Sequence, residues 1–292
     1  MAERAEPGVL RRTRVHGVDL AWEEHGGGVG RALVLVHGFT GSRRDFAPRV
    51  PALAALGRTV LPDLRGHGDS GHGDAAGYTL EQLATDLVAF LDAAGLGGCD
   101  LLGHSLGGMV ALRAALAAPE RIGSLLLMDT AARAPDLPVA SFQLARQVVE
   151  SSGLDTLLGL LRRRGPNDPN RTPADRRLEA AWGEGYWRDW RIPNYRAMDP
   201  VAYGALGEAL FGQAPLAARL AEIRMPTLVL VGAEDTAFLA AADELAAAIP
   251  GARRVTIAGA GHQPQLEAPA AWLQAIRDHL AQVRGDTLVA GP

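Results

Sequence analysis

Short apolar runs recur along the chain and predict a β-sheet of buried strands. They lie within the segments RALVLVHG, RTVLPDL, CDLLGHS, GSLLLMD, PTLVLVG and RRVTIAG. Continuous apolar residues are typical of parallel strands, which are covered on both faces. Two earlier segments, VLRRTRVHG and VDLAWEEHG, alternate partly between apolar and polar positions and end in glycine. They predict an antiparallel hairpin ahead of the parallel strands.

Helical patterns separate these apolar runs. The spacing of apolar residues predicts helices over Ser42 to Leu56, Leu80 to Ala94, Ser105 to Ala118, Ala237 to Ile249, and Pro269 to Val283. Because strands and helices alternate this regularly, we expect a doubly wound α/β sheet with helices on its faces.

Residues 133–220 break the alternation, since no convincing buried strand is found among them. Their segment RRRGPNDPNRTPADRR predicts a turn or loop, and the next segment, AWGEGYWRDWRIPNY, is rich in aromatic residues. Three of the five tryptophans and three of the four tyrosines fall in this region. We therefore predict a core domain made of residues 1–132 and 221–292, with residues 133–220 inserted as a helical cap.

Composition excludes several classes of protein. The net charge of −4 gives no basic surface for nucleic acid, and the absence of lysine excludes chemistry at a lysine amine. The single cysteine, Cys99, cannot form an internal disulfide. No apolar run reaches the roughly 18 residues of a membrane span, and the opening MAERAEPGVL lacks the apolar core of a signal peptide. We expect a cytoplasmic protein without a nucleic-acid or membrane partner.

A serine lies between glycines where the strand CDLL passes into the helix MVALRAALA. The residues from Gly103 to Gly107 form the pattern G-x-S-x-G, with Ser105 at its centre. In the nucleophile elbow this pattern holds a serine on a strained turn, with its hydroxyl exposed above the sheet. Ser105 is therefore our candidate nucleophile.

A serine hydroxyl needs a base that is itself oriented by an acid. Asp235 follows the strand PTLVLVG and His262 follows the last strand, so both are expected at the edge where the parallel strands end. His262 is the candidate base and Asp235 the candidate acid. Glu234 and Asp129 remain rivals for the acid, because Glu234 is adjacent and Asp129 ends the strand GSLLLMD.

Stabilising a developing oxyanion takes two N–H donors. One is expected from Leu106, the residue after the nucleophile, and the other from the loop VHGFTGS, where Phe39 is our candidate.

Five segments together carry a resemblance to the α/β-hydrolase superfamily: LVLVHGFTGS, LPDLRGHGDS, LLGHSLGGMVAL, PTLVLVGAEDTAF and GAGHQPQLEAP. The chain resembles the cap-bearing branch of serine esterases and lactonases. The resemblance implies a mostly parallel eight-stranded sheet flanked by helices, with a helical cap. It also implies an apolar small-molecule ester or lactone as substrate, no cofactor, no metal, and a monomer or homodimer.

The residues at single positions distinguish this chain from members of the superfamily with other activities. A carboxylate nucleophile would indicate a dehalogenase or epoxide hydrolase, but this position is Ser105. A menaquinone-pathway synthase would usually carry arginine where Met109 stands. A carbon–carbon bond hydrolase or lyase acting on a diketone-like or polyketide-like metabolite remains an alternative, as does a ligand-binding protein with slow turnover.

Substrate contacts are expected from aromatic residues near Ser105. The candidates are His104, Phe142, Trp187 and Phe238. The segment GHGDSG matches a dinucleotide-binding pattern, but no helix opens on its last glycine, so we interpret it as a turn beside the active site. His67 and His72 lack the spacing of a metal site.

Overall fold

An eight-stranded sheet forms the centre of the molecule. The structure is a computed structural model and describes residues 8–28, 30–165, 168 and 171–285. The strands are β1 (Val9–Val15), β2 (Val18–His25), β3 (Leu33–Val36), β4 (Thr59–Pro62), β5 (Cys99–His104), β6 (Ile122–Met128), β7 (Thr227–Gly232) and β8 (Arg253–Ile257). Each apolar run and both segments of the predicted hairpin supply one strand.

The strands lie in the order β1-β2-β4-β3-β5-β6-β7-β8. Strand β2 is antiparallel to both of its neighbours, and every pairing from β4 to β8 is parallel. The mostly parallel eight-stranded sheet expected from the sequence is therefore confirmed. Because β5, β6, β7 and β8 are parallel neighbours, their carboxyl ends share one edge of the sheet, and the residues that follow them meet there.

Helices cover both faces of the sheet. Those of the core are α1 (Val50–Ala54), α2 (Leu80–Ala93), α3 (Leu106–Ala117), α8 (Thr236–Ala248), α9 (Pro264–Glu267) and α10 (Pro269–Arg284). Four of the five predicted core helices form within one residue of their expected bounds. The helix expected over Ser42 to Leu56 is instead two short 3₁₀ segments followed by α1. Pro48 and Pro51 explain the difference, because proline removes a backbone donor and is tolerated only near a helix start.

Every regular element in the described residues between β6 and β7 is helical. This region contains α4 (Val139–Arg164), α5 (Pro173–Trp182), a π-helical segment (Tyr186–Arg191), α6 (Ile192–Arg196), α7 (Pro200–Gly212) and a 3₁₀ segment (Ala217–Glu222). Two parts of the predicted loop RRRGPNDPNRTPADRR are helical, since its arginines end α4 and Thr172 caps α5. The division into core and cap domains stays a prediction. Residues 1–7 and 286–292, at its outer limits, lie outside the described residues.

Two apolar clusters hold the layers together, one on each face of the sheet. Along β3, Val34 and Val36 belong to one cluster, while Leu33 and Leu35 belong to the other. Successive side chains of a strand point to opposite faces, so a strand covered on both sides must be apolar at every position. Within the described ranges no helix has the length and apolar character needed to cross a lipid bilayer.

Candidate active site

Ser105 lies on a strained turn between β5 and α3. Its backbone has φ 53° and ψ −118°, a conformation that non-glycine residues rarely adopt. A side chain at Gly103 would place a Cβ 2.4 Å from the carbonyl oxygen of Gly107, and one at Gly107 would lie 2.5 Å from the carbonyl oxygen of His37. The glycines on either side of Ser105 are therefore required by the close approach of strand and helix.

The turn is held in place from β6 and from the residues that follow it. The Ser105 N–H donates to the carbonyl of Met128 at 2.9 Å, and the Thr130 hydroxyl donates to the Ser105 carbonyl at 2.6 Å. These two hydrogen bonds fix the peptide groups on both sides of the serine, so that the strained backbone is supported by its surroundings.

Three residues that are far apart in the sequence meet at the edge where the strands end. The Nε2 atom of His262 lies 3.0 Å from the Ser105 hydroxyl, and its Nδ1 atom lies 2.7 Å from Oδ2 of Asp235. Burial alone would lower the pKa of His262, but the nearby carboxylates, chiefly that of Asp235, together raise that pKa above its ordinary value. The geometry suits a base that takes a proton from Ser105 while Asp235 stabilises the imidazolium.

Both rivals of Asp235 lie nearby, in other environments. Asp129 is fully buried and accepts a hydrogen bond from the Gly232 N–H at 2.8 Å. Burial and the charge of Asp235 raise the pKa of Asp129 well above its ordinary value, which favours the protonated form of its carboxyl group. Glu234 pairs with Arg177 at 2.7 Å. Of the three carboxyl groups, only that of Asp235 hydrogen-bonds to His262.

Asp129, Asp235 and His262 also have the chemistry of a metal-ligand set. Their ligand-type atoms all lie within 4.8 Å of one another. A metal ion at Nδ1 of His262 would displace the proton that this nitrogen shares with Asp235. A proton on Nδ1 of His262, shared with Asp235 in a hydrogen bond, is enough to explain why these two side chains lie so close together.

The backbone N–H groups of Leu106 and Phe39 remain the candidate oxyanion donors. Leu106 is the first residue of α3, where an N–H has no acceptor within its own helix. The Gly38 carbonyl accepts hydrogen bonds from the Gly41 N–H at 3.1 Å and from Nδ1 of His37 at 2.9 Å. The Gly38 carbonyl and the Phe39 N–H belong to the same peptide group. In a trans peptide these two groups point in opposite directions, so the Phe39 N–H is directed away from that turn.

Two buried histidines orient the loop that carries Phe39. The Leu64 N–H donates to Nε2 of His37 at 3.0 Å, which leaves the ring proton on Nδ1 for the Gly38 carbonyl. Nε2 of His67 hydrogen-bonds to the Phe39 carbonyl at 2.5 Å. Burial lowers the pKa of both histidines. The segment GHGDSG therefore supports the loop through His67, a role that sequence reasoning missed.

His104 and Glu267 hold the loop that carries His262. Nε2 of His104 hydrogen-bonds to the His262 carbonyl at 2.7 Å. Oε2 of Glu267 accepts hydrogen bonds from the N–H groups of Gly261 and Gln263 at 2.7 and 3.1 Å. Burial raises the pKa of Glu267 to about 7 and lowers that of His104 to about 3. Glu267 was missed, although it lies in the quoted segment GAGHQPQLEAP.

A cavity of about 190 Å³ opens above Ser105. His104 and Phe238, both expected as substrate contacts, line it, and the Phe238 ring stacks on that of His262 with centroids 5.0 Å apart. Two aromatic residues of the segment AWGEGYWRDWRIPNY, Trp190 and Tyr195, also line the cavity. So do three polar residues that the sequence did not single out, namely Asp45, Arg191 and Asn194.

Trp187, expected in the pocket, does not line this cavity. Its indole N–H donates to Glu179 at 2.6 Å, which keeps the ring among the helices between β6 and β7. Trp190 takes the expected place, and its indole N–H donates to Oδ1 of Asp45 at 2.8 Å. A buried indole N–H needs an acceptor, and the different acceptors direct the two rings to different places.

Phe142 lines an adjacent apolar groove of about 370 Å³ rather than the cavity at Ser105. The groove and the cavity share four residues of their walls, namely Phe39, Leu137, Tyr195 and Leu210. Phe142 packs on Phe39 and Phe211, with ring centroids 6.3 and 5.3 Å apart. The expected contact with a substrate at Ser105 is therefore displaced into a neighbouring space.

The chain belongs to the alpha/beta hydrolase fold family, whose profile matches residues 31–269. The enol-lactonase of Burkholderia xenovorans LB400 is similar over 93% of this chain and 100% of that one, with a TM-score of 0.80 and 27% identity. A thermophilic esterase from Thermogutta terrifontis, solved with malate bound, is similar over 96% and 99%, with a TM-score of 0.75 and 30% identity.

A curated relative from Pseudomonas putida is the dihydrolipoyllysine-residue acetyltransferase component of an acetoin cleaving system. It is 40% identical over 130 residues, which are 44% of this chain. The match covers 35% of that relative's length, and a match to a second curated relative covers 52% of its length. The chain thus spans about half or less of these relatives.

Proposed function

We propose that this chain is a serine hydrolase that cleaves a carboxylic ester or lactone through an acyl-enzyme on Ser105. The observation that carries the proposal is the continuous pair of hydrogen bonds from Ser105 to His262 and from His262 to Asp235. In the neutral imidazole, Nδ1 carries the proton that Asp235 accepts, so Nε2 is left free to accept the proton of the serine hydroxyl.

In the first step the Ser105 oxygen attacks the carbonyl carbon and its proton passes to Nε2 of His262. The N–H groups of Phe39 and Leu106 stabilise the oxyanion, with the positive end of the α3 dipole behind Leu106. The imidazolium then gives its proton to the leaving alkoxide, and an acyl-enzyme remains.

In the second step a water molecule takes the place of the alcohol. His262 removes a proton from this water as it attacks the acyl group, and a second oxyanion forms in the same place. Collapse of that intermediate returns the proton to Ser105 and releases the carboxylic acid. No step in this proposal uses a cofactor or a metal.

Two proteins of similar structure support this reaction type, since one is an enol-lactonase and the other an esterase. We further propose a cytoplasmic enzyme that acts on a small molecule as a monomer or homodimer. The alternatives are carbon–carbon cleavage by the same three residues and slow turnover in a ligand-binding role.

The test compares the unmodified protein with Ser105→Ala on p-nitrophenyl butyrate. We expect kcat to fall by about 10⁴- to 10⁶-fold, as for other serine triads. A fluorophosphonate should label the unmodified protein on the peptide that contains Ser105. Near-native turnover by the alanine variant, or a label elsewhere, would overturn the proposal, whereas rapid cleavage of a vinylogous diketone without ester turnover would support the carbon–carbon alternative.

A further inference from the structure

Arg191 places a cation in the wall of the cavity that contains Ser105. Both residues line this space of about 190 Å³ together with His262. The arginine ends the π-helical segment Tyr186–Arg191, next to Trp190. A guanidinium group is always charged in proteins, so the proposed reaction takes place beside a fixed positive charge.

Two aromatic rings lie against this guanidinium. Its central carbon lies 5.3 Å from the centroid of the Trp190 ring and 5.2 Å from that of the Tyr195 ring. Among the described residues, its hydrogen-bond contact is to the Tyr195 hydroxyl, at 3.5 Å, and its Nε atom is buried with no partner. Most of the five N–H donors of the group therefore have no acceptor among the described residues.

The nearby carboxylate of Asp45 does not fill these donors. Its Oδ1 accepts hydrogen bonds from Trp190 and Asn194 at 2.8 and 2.6 Å. Among the described residues Arg191 forms no ion pair with a carboxylate, although Asp175 and Asp45 contribute to its electrostatic environment. Arg191 is partly exposed, and a carboxylate entering the cavity would supply two acceptors in the matching planar geometry.

We propose that Arg191 binds a carboxylate of the substrate, so that the ester or lactone cleaved at Ser105 is an anionic one. The inference rests on the proposed function, because it assigns the substrate class of that site. Arg191 would be a specificity-determining residue. The expected apolar substrate is thereby replaced by one that combines an apolar body with one carboxylate.

The test uses pairs of methyl esters that differ in the terminal carboxylate: monomethyl succinate with methyl butyrate, monomethyl glutarate with methyl valerate, and monomethyl adipate with methyl hexanoate. Acid release is followed in a pH-stat. We expect the unmodified protein to prefer the anionic member of at least one pair. Arg191→Met should lower kcat/KM for that member by about 100-fold and change the neutral member by less than about threefold.

Arg188→Met is the matched control, because Arg188 lies on the same segment but is exposed and pairs with Asp189 at 2.7 Å. Arg188→Met should leave kcat/KM unchanged for both members of each ester pair. Should Arg191→Met fold poorly, Arg191→Lys provides a second measurement. Inhibition of methyl valerate hydrolysis by free glutarate should weaken in that variant, because an ammonium group cannot donate in bidentate fashion.

Equal effects of Arg191→Met on the anionic and neutral members would overturn this inference and leave the proposed hydrolase intact. So would the absence of any charge preference in the unmodified protein. If no ester of either kind is hydrolysed and the fluorophosphonate does not label Ser105, the proposed function itself fails, and the inference fails with it.

Discussion

Asp129 and Asp235 bring carboxyl oxygens within 4.8 Å of each other at the ends of neighbouring strands β6 and β7. Two buried carboxylates this close repel each other, which raises the pKa of one of them. The hydrogen bond between Asp235 and His262 favours the ionised form of Asp235, and the raised pKa is that of Asp129. Asp129 also accepts a hydrogen bond from the Gly232 N–H.

This arrangement predicts that two isosteric substitutions lower kcat/KM to very different extents. Asp235→Asn should lower kcat/KM by about 10⁴-fold, because the amide cannot stabilise the imidazolium. Asp129→Asn should cost less than about tenfold, since an amide can donate to Asp235 and accept from Gly232 just as the protonated acid does. Ester turnover of the two purified variants decides between them. A larger loss in Asp129→Asn would identify Asp129 as the acid.

The pH profile should show the raised pKa of His262. A base must be neutral to accept a proton, so kcat/KM should fall on the acid side with a midpoint above the ordinary histidine value of about 6.5. Any residual activity of Asp235→Asn should show this midpoint at lower pH, because the charge that raises the pKa is gone. A midpoint that does not move in the variant would contradict the assignment.

The same shift has a consequence for stability. Because the folded pKa of His262 lies above the unfolded value, its stabilising effect is complete below about pH 6.5 and is lost as the pH rises through the folded pKa.

Glu267 should act through the backbone around His262. Glu267→Ala removes an acceptor shared by two N–H groups and should lower kcat/KM by about 10- to 100-fold, in keeping with other supporting contacts. Glu267→Gln keeps an acceptor oxygen and should lie within about threefold of the unmodified protein. Equal losses in the two variants would show that the charge matters rather than the acceptor.

The pKa of about 7 at Glu267 gives this residue a stability effect as well. The folded pKa lies above the unfolded value, so the contribution is full below about pH 4.3 and is lost as the pH rises through 7. Urea denaturation at several pH values should find this part of the pH dependence missing in Glu267→Gln.

Trp190 joins the helices between β6 and β7 to the core through its bond to Asp45. Trp190→Phe keeps an aromatic ring but removes the indole donor, and we expect the free energy of unfolding to fall by about 1 to 3 kcal/mol. Trp182→Phe is the control, since Trp182 is partly buried and contacts the Trp190 ring edge-on. Chemical denaturation measures both. Equal losses would mean that the hydrogen bond contributes nothing beyond ring packing.

Gly207 allows the Phe142 ring to lie against α7. An added Cβ would lie 2.1 Å from two atoms of that ring, so Gly207→Ala must displace Phe142. We expect a loss of about 1 to 3 kcal/mol in the free energy of unfolding. Gly212→Ala, at the exposed end of the same helix, meets no atom within 4 Å and should be neutral or slightly stabilising. Thermal unfolding of the pair separates the clash from helix propensity.

Local patterns were sufficient for the sheet and for the order of its elements. A strand buried on both faces must be apolar at every position, and a serine on a strained turn needs glycines where strand and helix touch. Both requirements act over a few neighbouring residues. The strands and the position of Ser105 could therefore be predicted, as could the strand ends that carry Asp235 and His262.

The partners of these residues depend on contacts between distant segments. Asp129 and Asp235 both follow strands of the same sheet, and local sequence does not say which of them the His262 ring will face. The choice depends on the side-chain geometry around that ring. Burial and charge, which are properties of the folded state, then decide which carboxyl group keeps its proton.

The walls of the cavity also combine features that follow from local sequence with features that follow from contacts between distant segments. Sequence alone determined the eight strands, the elbow at Ser105 and the aromatic character of the region between β6 and β7. Tertiary structure alone decided that Trp190 rather than Trp187 faces Ser105, and that Arg191 lies beside it. The reason is physical: Trp190 reaches Asp45 across 145 positions of the chain, and such a contact depends on how helices pack rather than on neighbouring residues.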